Sequence, residues 1–189
     1  MVSENSMQVF NTDIHDAKII QPKVFGDHRG FFLETFEKKK YEDILKVSLD
    51  FVQDNHSRST KNVLRGLHFQ KNNPQGKLVR VVRGEVFDVA VDIRSDSPTF
   101  GKWAGFILNE ENKKQFWVPP GLAHGFVVLS DIADFEYKCT DYYYPEFEAS
   151  LAWNDPDIGI KWPCQEPILS LKDQSASSFR DLFKLQTSD

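Results

Sequence analysis

The fold is indicated most clearly by residues 78–93, which read LVRVVRGEVFDVAVDI. The first five residues are apolar or β-branched except for one arginine, and the Arg83-Gly84-Glu85 that follows is a turn signal. From residue 86 to residue 93 an apolar side chain falls on every second position, and Asp88 and Asp92 lie on the opposite face. The stretch therefore predicts two short strands joined by a turn.

Outward from this stretch the chain continues as short strand patterns separated by turn residues. The other clear strand patterns cover residues 103–108, 115–118, 126–129 and 135–140. Pro119-Pro120-Gly121 must form a turn or loop. Helical periodicity is limited to residues 41–45 and residues 179–183, the latter after possible serine caps. These patterns predict an all-β fold, an antiparallel sandwich or jelly roll with a few short peripheral helices.

Length and composition are typical of a globular domain. The 189 residues are 40% hydrophobic and 27% charged, without internal repeat or Gly/Ser linker. We therefore expect a single domain over residues 1–189, with residues 1–7 a flexible extension. There is no apolar run of the ~18 residues that a membrane span needs and no secretory pattern at the start. Two cysteines without metal-ligand spacing fit a reducing cytoplasm.

One window of the chain concentrates positive charge. Residues 58–83 contain seven Lys or Arg and no Asp or Glu, with His68 near the middle, whereas the rest carries 16 basic and 28 acidic residues. The net charge of −5 argues against nucleic acid as the main partner. A local surplus of positive charge in an acidic protein indicates a focused anion site. We expect a small phosphorylated ligand to be processed beside His68, which can exchange protons near neutral pH.

The segment around His68 leaves two interpretations open. It reads VLRGLHFQ over residues 63–70, and strict strand alternation places His68 on one face and Arg65 on the other. A bulge at Gly66 would change that parity and bring both side chains toward one cavity. His68 is then either a core histidine beside a surface arginine, or a catalytic histidine beside an anion-binding arginine.

His124 follows the rigid Pro-Pro-Gly turn and precedes an apolar strand, so it either lines the mouth of a barrel or is a satisfied structural histidine. A metal is not expected. Metal-binding barrels of this kind usually offer two histidines one residue apart and then a carboxylate, whereas Gln70 and Lys77 stand at those positions here. A cation beside Arg65, Lys77 and Arg80 would also be repelled.

Tyr137 and Asp173 are not distinguished by their local sequence. Tyr137 shares a predicted strand face with Phe135 and Cys139, which is typical of a core tyrosine. Asp173, in the segment LSLKD, resembles an ordinary loop or helix-capping aspartate. Neither residue would be singled out without further information.

Several segments taken together resemble one enzyme family. They are KVFGDHRGFF (23–32), FVQDNHS (51–57), VLRGLHFQ (63–70), QGKLVR (75–80), residues 84–94, PPGLAHGF (119–126), Tyr137-Lys138 and the turn at Trp153. In order and in sequence they closely resemble the dTDP-4-dehydrorhamnose 3,5-epimerases, cupin-fold enzymes of dTDP-L-rhamnose synthesis. The resemblance runs from about Ile19 to Asp173, and it implies a cupin-type jelly roll.

The resemblance also implies roles for individual residues. His68 would be the catalytic base, oriented by Asp173, with Tyr137 as the acid on the opposite face of the sugar and Lys77 beside the sugar carbonyl. The substrate-binding positions would be Arg29, Glu34, Gln53, Asp54, Asn55, Arg65, Lys77, His124, Tyr143, Glu148 and Lys172. Tyr143 would stack on the thymine ring.

The activity implied is inversion of C3 and C5 of dTDP-4-dehydro-6-deoxy-D-glucose, giving dTDP-4-dehydro-L-rhamnose for cell-surface polysaccharides, with no cofactor and no metal. The resemblance further implies a homodimer in which the partner subunit completes each site. Two alternatives remain open at this point. One is a C3-only or C5-only epimerase of a related nucleotide-linked keto sugar, and the other is a non-catalytic cupin that binds sugar nucleotides.

Overall fold

The computed structural model describes residues 6–184, and strands dominate this part of the chain. The strands are β1 (Gln8–Asn11), β2 (Lys18–Gln21), β3 (Val24–Asp27), β4 (Gly30–Leu33), β5 (Gln53–Thr60), β6 (Leu64–Gln70), β7 (Lys77–Arg83), β8 (Glu85–Asp92), β9 (Trp103–Asn109), β10 (Gln115–Val118), β11 (Leu122–Val128), β12 (Ile132–Cys139) and β13 (Glu148–Ser150). The helices are α1 (Lys38–Leu45), α2 (Leu171–Gln174) and α3 (Phe179–Phe183), with a 3₁₀ turn at Pro145–Phe147. The first five residues of the predicted N-terminal extension lie outside the described residues, and Met7 packs against an apolar cluster.

Two antiparallel sheets face each other. Sheet 1 has the strand order β1-β2-β10-β7-β12-β5 and sheet 2 the order β13-β6-β11-β8-β9, while β3 and β4 form a separate hairpin. From β5 to β8, and again from β9 to β13, successive strands lie in alternate sheets. Such repeated crossing between two sheets is the jelly-roll arrangement. The predicted all-β, cupin-type antiparallel sandwich with short peripheral helices is confirmed.

The main core lies between the sheets, where inward-facing side chains of both meet. Val79 and Phe135 from sheet 1 are essentially inaccessible to solvent, as is Val86 from sheet 2. The rings of Phe126 in β11 and Phe135 in β12 are stacked with centroids 4.2 Å apart, which joins the two sheets directly. This aromatic contact forms one wall of the cavity described below.

Strand β8 is buried on both of its faces. The alternation predicted for residues 86–93 is present, and Val89 packs under the C-terminal segment with Ile158 and Phe179. Asp88 and Asp92, on the other face, are also fully inaccessible to solvent. Alternation in the sequence therefore separated the faces correctly, but the aspartate face points into the interior between the sheets.

The connection between β7 and β8 is the single residue Gly84, and it carries the chain from sheet 1 to sheet 2. Gly84 has φ of +75°, and a Cβ there would lie 2.0 Å from the carbonyl oxygen of Ile132. Only glycine fits such a backbone without displacing its neighbour. The predicted turn is confirmed, although the two strands that it joins do not pair with each other.

Both predicted helices are confirmed, and a side chain caps the N-terminus of each. The Glu37 carboxylate accepts a hydrogen bond from the Lys40 backbone N–H at the start of α1, and Ser178 caps α3 in the same way. Helix α1 buries Tyr41 and Leu45 against the outer face of sheet 1. No helix among residues 6–184 is long and apolar enough to cross a membrane.

Candidate active site

A bulge at Gly66 shapes the strand that carries His68. His68 pairs with His124 and Arg65 pairs with Phe126, so β6 holds one extra residue against β11. Gly66 has φ of +129°, and a Cβ there would lie 2.6 Å from the Cα of Gly125. The predicted bulge is confirmed, and it turns Arg65 and His68 toward the same cavity.

This cavity opens between the two sheets and has a volume of about 290 Å³. Its lining residues are Asn55, His56, Ser57, Arg65, His68, Lys77, His124, Gly125, Phe126, Phe135 and Tyr137. Six of the residues singled out in the sequence thus meet here, although they come from five different strands. Sheet 2 contributes His68 and His124, while sheet 1 contributes Lys77 and Tyr137.

Asp173 holds the imidazole of His68 from outside the sheet. The distance from His68 Nε2 to Asp173 Oδ1 is 2.6 Å, and only 3% of the aspartate side chain is exposed. Ser170 caps α2 by accepting the Asp173 backbone N–H, which fixes the carboxylate over β6. Burial alone would raise the pKa of Asp173, but the His68 contact holds that pKa below its usual range. The carboxylate therefore remains ionised at neutral pH.

Lys77 and Tyr137 stand on the opposite wall. Lys77 Nζ lies 5.9 Å from the centroid of the Tyr137 ring. Burial lowers the pKa of Lys77, and the same cause raises the pKa of Tyr137. The tyrosine hydroxyl thus keeps its proton at neutral pH and is able to act as an acid.

His124 has a partner that the sequence did not suggest. Its Nε2 lies 2.9 Å and 3.0 Å from the two carboxylate oxygens of Asp88, which is completely buried. Burial raises the pKa of Asp88, and the charge of His124 opposes that rise. His124 therefore lines the cavity and also has its hydrogen bond satisfied by Asp88. The sequence signal that could have pointed to this partner is an aspartate, Asp88, within an otherwise apolar strand pattern.

Three of the predicted binding residues form a cluster at the edge of sheet 2. The Tyr143 hydroxyl donates to Glu148 Oε2 at 2.6 Å, and Lys172 contacts the other oxygen of that carboxylate. The hydrogen bond to Glu148 raises the pKa of Tyr143 to about 12. Gln53 links this cluster to Asn55, because its Oε1 accepts the Tyr143 backbone N–H and its Nε2 donates to the Asn55 amide oxygen.

Comparison with known proteins is consistent with this geometry. The sequence model of the dTDP-4-dehydrorhamnose 3,5-epimerases matches residues 11–181. The enzyme of that name from Salmonella typhimurium is 59% identical over 172 residues, which are 90% of this chain and 94% of the relative. The chain belongs to the dTDP-4-dehydrorhamnose 3,5-epimerase family. The predicted family and the predicted class of enzyme, an isomerase, are confirmed.

Solved members of the family share the fold. The epimerase of Legionella pneumophila, determined in complex with dTDP-4-keto-L-rhamnose, is 60% identical and superposes with a TM-score of 0.89, covering 91% of this chain and 92% of the other. A 3′-monoepimerase from Streptomyces bikiniensis, in complex with dTDP-quinovose, is 33% identical with a TM-score of 0.85 over 92% and 89% of the two chains. The family thus includes enzymes described as acting at two carbons and one described as acting at one.

Three further residues expected from the family pattern lie away from both the cavity and the Tyr143 cluster. Arg29, at the tip of the β3–β4 hairpin, pairs with Asp27 at 2.5 Å, and 79% of its side chain is exposed. Glu34 contacts Lys40 at 2.7 Å. Asp54 contacts Lys138 at 2.9 Å on the outer face of sheet 1. Among residues 6–184, no group of three or more His, Cys, Asp or Glu side chains is close enough to hold a metal ion.

Proposed function

We propose that this family member inverts both C3 and C5 of dTDP-4-dehydro-6-deoxy-D-glucose, giving dTDP-4-dehydro-L-rhamnose. The observation that carries the proposal is the position of His68 and Tyr137 on opposite sheets, with one cavity between them. Inversion at a carbon requires that a proton leave from one face of the sugar and another arrive at the opposite face. A base and an acid on facing walls supply that requirement.

In the first half of each inversion, His68 acts as the base. The 4-keto group acidifies the C–H bonds at C3 and C5, so the proton passes to Nδ1 of His68 and the bonding electrons move to the carbonyl oxygen as an enolate. Asp173 on Nε2 fixes the tautomer with its lone pair on Nδ1 and stabilises the imidazolium. We assign the Lys77 ammonium, which lines the same cavity, to stabilisation of the enolate oxygen.

In the second half, Tyr137 returns a proton from the other wall. Its raised pKa keeps the hydroxyl protonated until the strongly basic enolate carbon is present. His68 and Tyr137 are then restored through solvent before the next carbon reacts. No redox or metal cofactor enters this sequence of proton transfers.

The nucleotide is proposed to bind across Arg65 and the cluster of Gln53, Tyr143, Glu148 and Lys172. Arg65 offers forked N–H donors to a diphosphate. Tyr143 presents a half-exposed ring for stacking against thymine. Relatives solved with dTDP-4-keto-L-rhamnose and with TDP support this choice of ligand.

We also propose a homodimer in which Arg29 and Glu34 reach the partner's cavity. The β3–β4 hairpin exposes Phe25, Phe31 and Phe32 by 51%, 63% and 68%, a patch that a second subunit would cover. Cys139 and Cys164 are both unpaired thiols, which suits the reducing cytoplasm where we propose that the enzyme works.

A monoepimerase is the second candidate, favoured by the 33% identical Streptomyces bikiniensis enzyme. Incubation with dTDP-4-keto-6-deoxyglucose in deuterated water, followed by NMR, separates the two. Deuterium at both C3 and C5 is the expected result. Label at one carbon alone would identify a monoepimerase, and no label would refute epimerisation of this substrate.

A further inference from the structure

Ser150, the last residue of β13, carries a buried hydroxyl without a hydrogen-bond partner. Among residues 6–184, this oxygen is the one buried side-chain nitrogen or oxygen that lacks a hydrogen-bond partner. Folded proteins pair nearly all of their buried polar atoms, so an exception calls for an explanation. A serine that gains its partner only in one state of a working site is such an explanation.

The neighbour of Ser150 is the proposed catalytic base. Ser150 pairs directly with His68 across β13 and β6. Leu67 and Leu151 exchange both of their backbone hydrogen bonds, at 3.2 Å and 2.9 Å. The next pair along, His68 and Ser150, is therefore a non-hydrogen-bonded pair, in which side chains stand closest on the same face of the sheet.

His68 has two cross-strand neighbours, and they differ in what they can offer. His124, on β11, already uses Nε2 for Asp88. Ser150, on β13, has an uncommitted hydroxyl. The segment after α2 runs alongside β13, because Ser177 N–H donates to the Ser150 carbonyl. Strand β13 thus lies between β6, which carries the base, and the segment that follows the Asp173 helix.

The chemistry of the base creates a new donor at this place. His68 Nε2 is held by Asp173, so a proton taken from the substrate can reside only on Nδ1. The resulting Nδ1–H needs an acceptor other than the carbanion that it has just left. Without such an acceptor, return of the proton to the same face of the sugar competes more strongly with proton delivery from Tyr137 on the other face.

We propose that Ser150 is a positioning residue for His68, and that its hydroxyl oxygen accepts the Nδ1–H of the protonated imidazole. This inference rests on the proposed function, in which His68 is the base. Rotation about the serine χ1 moves the oxygen among three directions without disturbing the strand. The hydroxyl is unpaired in the structure, and an imidazolium N–H offers it a charge-assisted hydrogen bond, which is stronger than a bond to the uncharged ring.

The test compares Ser150→Ala with Ser150→Thr, which keeps the hydroxyl and suits a strand. Ser177→Ala is the matched control, since it makes the same change at an exposed serine of the adjoining segment. Histidine NMR of the free protein follows the titration of His68, assigned by the signal missing from His68→Asn. Loss of a bond that is stronger with the imidazolium should move the titration midpoint of Ser150→Ala to lower pH by about half a unit to one unit.

Turnover should change in the same sense. We expect kcat of Ser150→Ala to fall about three- to tenfold with KM unchanged, because the lost bond is stronger after proton transfer. Ser150→Thr should restore both the midpoint and kcat, and Ser177→Ala should match wild type. At alkaline pH the thermal midpoint of Ser150→Ala should fall little, since the structure shows no hydrogen bond of this hydroxyl that the substitution would remove.

An unchanged His68 titration in Ser150→Ala would overturn the proposal, and so would a Ser150→Thr variant as slow as the alanine variant. Failure of the proposed function has a different signature. In that case the wild-type protein would not exchange deuterium into the keto sugar, while the titration of the free protein would still report on Ser150.

Discussion

Two histidines stand side by side across β6 and β11, and each contacts an aspartate, yet the two pairs differ in exposure and in origin. The side chain of His68 is 29% exposed and that of His124 only 7%. Asp173 approaches His68 from α2, more than one hundred residues along the chain, with one short contact to a single oxygen. Asp88 belongs to the strand next to His124 and contacts it through both oxygens.

The difference indicates that His68 is a base and that His124 is a fixed part of the cavity wall. An imidazole that must accept and release protons needs one nitrogen open to the cavity and a partner that stabilises its charged form. A buried charge without such a role can instead hold neighbouring groups in a fixed geometry. Asp88 holds His124 in place, and its charge favours the protonated form of Lys77. We infer that the His68 pair performs chemistry and the His124 pair holds the substrate and the shape of the cavity.

The largest expected effect comes from removing the two imidazoles separately. His68→Asn should abolish exchange at both C3 and C5, a loss of at least about a thousandfold, while dTDP still binds. His124→Asn should retain measurable exchange. The measurement is deuterium incorporation by NMR together with calorimetric titration of dTDP. His15→Asn, which removes an exposed histidine beside Asp16, is the matched control. Equal losses at both positions would contradict the assignment of the base.

Asp173→Asn should come next, with kcat reduced by about a hundredfold or more. The amide can donate to His68 Nε2, which would place the ring proton on Nδ1 and remove the lone pair that accepts the substrate proton. KM should change little, because the carboxylate contacts the imidazole and not the cavity. Asp157→Asn, which breaks the surface pair with Arg180, makes the same substitution without this consequence. Steady-state kinetics of the two variants make the comparison, and a nearly active Asp173→Asn enzyme would refute the orienting role.

Asp88→Asn should have a smaller effect, a fall of about tenfold in kcat/KM carried mainly by KM. His124 would lose its ionic partner and the imidazole would become free to rotate within the wall. The proton-transfer residues His68 and Tyr137 would remain in place, so kcat should be affected less than in Asp173→Asn. If kcat collapsed instead while dTDP binding was kept, His124 and Asp88 would belong to the proton-transfer machinery.

Much of this comparison was accessible from sequence, and the part that was not has a physical reason. Strand periodicity located the segments of His68 and His124, and the glycine at position 66 indicated the bulge that turns Arg65 inward. Alternation also separated Asp88 from the apolar face of β8. It could not show that this second face is buried too, because that depends on the opposite sheet closing over it.

Contacts between residues that are distant in sequence could not be predicted from any local pattern. The contact between His68 and Asp173 spans 105 positions, and the helix that positions Asp173 is only four residues long. Resemblance to the family supplied that pair, as it supplied Tyr137. Ser150 was missed altogether, since a serine in a short edge strand carries no signal until its pairing with His68 is known.

The smallest expected effect is on stability in acid, where the two aspartates should contribute with opposite signs. In the folded protein the burial of Asp173 is outweighed by His68, so its pKa lies below 3.8, and the stabilisation is complete above that value and lost as the pH falls below it. Burial raises the pKa of Asp88 above 3.8, so its ionisation costs stability as the pH rises from there.

Relative to wild type, the stability deficit of Asp173→Asn should therefore shrink as the pH is lowered, whereas any deficit of Asp88→Asn should shrink as the pH is raised. Urea unfolding between about pH 3 and about pH 6 measures both differences. If both deficits changed in the same direction with pH, the two carboxylates would experience similar environments. The contrast between the more exposed His68 pair and the buried His124 pair would then not extend to their aspartates.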